Sequence, residues 1–87
     1  MEINSRMQPE DIQKMIESNI PDSRVTVTGD GRHFEALVIT VQFEGMGLLA
    51  RQRQVYSALG NNIHNGNIHA LSIKAKTPSE FEKEKQI

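Results

Sequence analysis

The chain has 87 residues, no cysteine and a formal net charge of −1. That length suits one compact domain with a modest core; the missing thiols exclude disulfide staples and thiolate ligation of metal from this chain, and a pI near 6.3 argues against a general nucleic-acid footprint. No stretch approaches the ~20 apolar residues of a membrane-spanning helix, and Met1–Gln8 lacks the apolar core of a signal peptide, so a reducing, cytoplasmic setting is expected, with a single domain over 1–87 and loosely ordered ends at 1–7 and 86–87.

Pro9 to Ile20 predicts a helix, with Ile12, Met15, Ile16 and Ile20 on one face. Pro9 suits a first helical turn, Glu10 and Asp11 favour the positive end of the dipole, and Pro21 stops the helix. Arg24 to Thr28 alternates, with Val25 and Val27 on one side, as in a half-buried strand. Gly29-Asp30-Gly31 reads as a turn. His33 to Phe43 predicts a longer strand that completes a hairpin, with Leu37, Ile39 and Val41 facing inward and His33 sharing their parity. Gly45 and Gly47 break that pattern. Leu48, Leu49, Gln52, Val55, Tyr56 and Leu59 form the apolar stripe of a second helix, followed by Gly60-Asn61-Asn62, a short helical turn around Ile63 and the breaker Asn65-Gly66-Asn67. His69 to Lys76 predicts the third strand, with Leu71, Ile73 and Ala75 facing in. Thr77-Pro78-Ser79-Glu80 is a helix start, with Thr77 as N-cap and Glu80 placed for a capping box; Phe81 anchors a short polar helix.

The order α-β-β-α-α-β-α predicts an α+β fold: a small three-stranded mixed sheet with helices on one face. The helical link between the second and third strands is long enough for a parallel crossover. His33 and His69 then start neighbouring strands at the same end of the sheet. With parity shared with inward residues, both are expected on the helix-bearing side, where strands about 4.8 Å apart let two imidazoles converge on one ion. An imidazole is readily neutral near pH 7, as a ligating histidine must be.

The segments carrying His33, Gly45–Tyr56 and Asn67–Lys74, in that order, resemble the BolA-like family in its short bacterial branch, over roughly residues 8–85. The resemblance implies the class II KH-like version of this fold. It also implies a partner, a monothiol glutaredoxin with glutathione, and a shared [2Fe-2S] cluster in which histidine serves as ligand, as it does in Rieske centres. His69 matches the ligand of the family's Ile-His-Ala motif, and His33 matches a loop position where members carry histidine or cysteine. The glutaredoxin and glutathione supply the sulfur ligands, and no cluster is expected tightly bound to the isolated chain, which is read as a monomer or weak dimer.

A bland reading competes at each of these positions. A lone histidine is more often structural or exposed than a ligand, and His64 in the polar Asn61–Asn67 break reads as exposed. Asp30 and Glu35 read as turn and strand-end residues. Arg51 and Arg53, together with Lys74 and Lys76 on the outward face of the third strand, read either as a partner-facing or phosphate-binding patch or as solvated surface; Met46, in a turn between glycines, is a candidate contact. No P-loop, His-Glu-x-x-His or Gly-x-Ser-x-Gly pattern is present, and no enzymatic activity is expected. The competing function is a KH-like nucleic-acid-binding regulator acting on DNA, a role to which the family has been linked. Against it, Gly45-Met46-Gly47 is too short for the G-x-x-G clamp, and Gly60-Asn61-Asn62-Ile63 lacks the second glycine.

Overall fold

The structure, a computed structural model, describes residues 7–62, 68 and 70–85. The predicted turn at Ile63, His64 and His69 lie outside the described residues. Helix α1 runs Pro9–Asn19. Its start is fixed by the Gln8 N–H, which donates to Asp11 Oδ2 at 3.0 Å, and its end by Ser23 Oγ, which donates to the Ile20 carbonyl at 2.7 Å. Ile12, Ile16 and Ile20 are buried on one side, as their spacing predicts.

Strand β1 (Arg24–Gly29) pairs antiparallel with β2 (His33–Ile39), and β2 pairs parallel with β3 (Ala70–Lys76), giving the order β1-β2-β3. The sheet is mixed, as expected. Helix α2 (Leu48–Leu59) packs on α1 and β3 while α1 lies on β1. A 3₁₀ turn at Gly60–Asn62 leaves α2, and α3 (Pro78–Lys85) follows β3. The core is the slab between the helices and one sheet face, with Phe34, Phe43, Val38 and Val55 at its centre.

Two expectations are corrected here. The second strand ends at Ile39, not Phe43. After it, the Thr40 hydroxyl accepts the Gln42 N–H at 3.1 Å, and a 3₁₀ turn over Val41–Phe43 swings the Phe43 ring into the core while Val41 stays 55% exposed. The inward parity of β2 is also reversed. Phe34, Ala36 and Val38 face the helices, whereas His33 and Glu35 are exposed and Leu37 is half-buried; Ile39, at the strand's end, is buried as well. Register explains this. Val25 stands opposite Val38 and Val27 opposite Ala36, and directly opposed residues share a face. On β3 the expected face holds: Leu71, Ile73 and Ala75 lie opposite Phe34, Ala36 and Val38.

The buried stripe of α2 is Arg51, Val55 and Leu59, rotated from the predicted one. Leu48 and Leu49, expected inside, are 72% and 63% exposed.

Candidate metal-ligating and partner-binding site

His33 is carried by a turn that the sequence builds locally. Gly31 takes φ 98°, a conformation open to glycine. The Asp30 carboxylate fastens the turn: Oδ1 accepts the N–H groups of Arg32 at 2.9 Å and His33 at 3.0 Å. These two backbone donors, His33 first, hold the Asp30 carboxyl below its usual range. Asp30 is therefore a structural turn residue, as its position suggested. The His33 side chain is exposed and makes no hydrogen bond among the described residues.

The strand starts do lie at one end of the sheet, since His33 stands opposite Ala70. However, His33 belongs to the helix-free face, not the helix-bearing face predicted for it, because the hairpin register gives its parity to the open side. Nothing described brings His69 to it. Among the described residues no group of three or more His, Asp or Glu side chains is placed to hold a metal ion. The chain itself has no cysteine to contribute a thiolate.

Arg51 is not the surface residue predicted. It shares a helix face with Val55 and Leu59 and is only 7% exposed. Its guanidinium is fully engaged: Nε donates to the Met46 carbonyl at 2.9 Å and Nη1 to the Ala75 carbonyl at 3.0 Å, and the fork closes on both oxygens of Glu80. The Phe43 ring lies beneath it, with its centroid 5.7 Å away. Glu80 also accepts the Thr77 N–H at 2.9 Å while Thr77 Oγ1 accepts the Glu80 N–H at 3.1 Å, completing the predicted capping box. Arg51 and the Thr77 N–H hold the Glu80 carboxyl down at about 2.

The other predicted surface residues divide. Met46 is half-buried against the core and lines a groove of about 360 Å³ with Gly47, Leu48, Lys76 and Glu84. Lys74 and Lys76 share the outward face as expected; Lys76 is ion-paired with Glu84 of α3, while Lys74 borders a shallow depression with Thr26 and Glu35 on the open sheet face. Arg53 is exposed with no ion pair among the described residues, and at helical spacing it joins Leu49 and Tyr56 in a stripe on the outside of α2. Sequence reasoning missed this stripe by assigning its apolar members to the core; Leu48, Gln52 and Tyr56 repeat every four residues just as Arg51, Val55 and Leu59 do, so spacing does not decide between the two faces.

The family model described as BolA-like protein matches residues 3–80. Acid stress protein IbaG of Escherichia coli K12 is 35% identical over 81 residues, spanning 93% of this chain and 96% of that protein. The structure of a bolA protein homologue from Coxiella burnetii is similar with a TM-score of 0.79 and 47% identity, covering 87% of this chain and 97% of that one. Yeast Fra2 follows with a TM-score of 0.71 and 32% identity, over 88% and 86% of the two chains.

Proposed function

This chain belongs to the BolA-like family, in its IbaG-type branch, and from that premise we propose that it is a non-enzymatic partner of a monothiol glutaredoxin, with which it shares or passes on a [2Fe-2S] cluster. His69 is the leading ligand from this chain and His33 the second. The glutaredoxin and its glutathione supply the sulfur. The observation that carries the reading is the near full-length family match, which includes both histidines. The exposed imidazole of His33, without a hydrogen bond among the described residues and at the end of the sheet where β3 begins, supports it.

The donor set fits a shared site better than a resident one. Histidine nitrogen suits one iron of such a cluster, but the chain offers no thiolate. Docking uses the outer stripe of α2, where Leu48, Leu49 and Tyr56 expose apolar surface beside Arg53. Apolar residues so open on a small domain mark an interaction surface.

The test is visible absorption and circular dichroism after mixing the protein with a cluster-loaded monothiol glutaredoxin and glutathione. The expected result is a changed spectrum that is lost in His69→Ala and altered in His33→Ala. A spectrum unchanged by the wild-type protein overturns cluster sharing.

A further inference from the structure

The two edges of the sheet are treated differently. On β3, the Lys76 carbonyl accepts the Thr40 N–H at 3.1 Å and so faces β2. Alternation turns the Ile73 and Ala75 carbonyls to the outer edge, where Gln52 Nε2 reaches Ile73 at 3.0 Å and Arg51 reaches Ala75. Helix α2 thus plugs this edge with side chains, which discourages strand addition.

The β1 edge has no such plug. The Asp30 N–H donates to the His33 carbonyl at 3.3 Å, so Asp30, and by alternation Thr28, Thr26 and Arg24, turn their peptide groups toward β2. Those of Val25, Val27 and Gly29 point away from the sheet. Among the described residues no group hydrogen-bonds to them. β1 carries neither proline nor a bulge, and it pairs with β2 in unbroken register from Arg24 to Gly29.

We propose that β1 pairs antiparallel with β1 of a second copy of this chain, about a two-fold axis at Val27, joining the two three-stranded sheets into one continuous sheet. In this register Val25 stands opposite the partner's Gly29, Thr26 opposite the partner's Thr28 and Arg24 opposite the partner's Asp30. The last pairing is attractive at both ends of the interface. Arg24 is exposed with no ion pair among the described residues, and Asp30 spends Oδ1 on its own turn, leaving Oδ2 to accept.

Adjacent registers lose this attraction: an axis at Thr26 or at Thr28 no longer sets Arg24 opposite the partner's Asp30. Such pairing leaves the outer stripe of α2 uncovered, because it lies away from the β1 edge.

The absence of native cysteine permits a direct test. Thr26 and the partner's Thr28 form a non-hydrogen-bonded antiparallel pair, with Cα atoms about 4.5 Å apart, within disulfide reach; both residues are exposed. Thr26→Cys and Thr28→Cys are prepared as separate proteins and oxidised alone and mixed. The expected result is a cross-linked dimer in the mixture forming at least ten-fold faster than in either variant alone. Adding Arg24→Asp to both chains slows it at least several-fold. Equal rates in all three samples, no cross-link in any, or no effect of Arg24→Asp overturns the proposal, as does sedimentation of the wild-type protein as a monomer at millimolar concentration.

Discussion

Arg51 and Glu80 meet as a two-armed ion pair between α2 and α3, with Nη1 2.7 Å from Oε1 and Nη2 3.1 Å from Oε2. The pair is sheltered on the arginine side and open on the glutamate side, with side-chain exposures of 9% and 45%. A carboxylate held this way ties stability to pH. Its folded value of about 2 lies below the ordinary 4.5, so the unfolded chain binds the proton more readily and stability rises with pH across that interval. The contribution is complete above about pH 4.5 and fades as pH falls through 2. Urea midpoints of wild type and Glu80→Gln are expected to differ at pH 6 and to converge near pH 2.

Removing the other partner has a larger effect. Arg51→Ala strips the donors from two carbonyls and empties the place above Phe43. Each buried acceptor left unpaired costs about 1–3 kcal/mol. Arg51→Lys is expected to recover only part of the loss, since an ammonium cannot reproduce the planar fork. Chemical denaturation of both variants checks this order.

Gly29 is required by close approach. A Cβ there would lie 2.6 Å from Phe34 Cδ1 and overlap the His33 carbonyl oxygen, and the Phe34 ring is fixed in the core at 2% exposure. Gly29→Ala is expected to lower stability by about 1–3 kcal/mol, the usual cost of overpacking. Amide shifts confined to Thr28–Glu35 would locate the strain in the hairpin.

At the docking surface proposed on the outer stripe of α2, folding and recognition are expected to separate. Leu48→Ser and Leu49→Ser remove side chains that are mostly in solvent, so unfolding free energy is expected to change by less than about 0.5 kcal/mol. Affinity for the monothiol glutaredoxin is expected to fall ten-fold or more, as read by isothermal calorimetry. Unchanged affinity would move the docking surface elsewhere.

Much of this architecture is readable from residue pattern. The spacing of Ile12, Ile16 and Ile20, the alternation of Val25 and Val27, and the Thr77–Glu80 box each specify their element through local chemistry. The face of β2 is not legible from pattern alone, because Phe34, Ala36 and Val38 on one side compete with Leu37, Ile39 and Val41 on the other. The deciding signal was the turn. Asp30 bonds to His33 across Gly31-Arg32, so odd residues of β1 oppose even residues of β2, and the helix face of Val25 passes to Val38. The burial of Arg51 is not legible for a different reason. A charged side chain enters a core only when its partners are supplied, and here they come from residues 46, 75 and 80, which no local pattern joins.

Helix α3 contributes no buried residue. Its half-buried Phe81 aside, it is fastened by Glu80 on Arg51 and Glu84 on Lys76. Its attachment is thus chiefly electrostatic in a molecule whose remaining elements cohere through apolar burial. Acid and salt act on the first kind of bond far more than on the second. Acid and salt are therefore expected to loosen α3 before the apolar core, and a substitution that tightens the core alone does not replace these contacts.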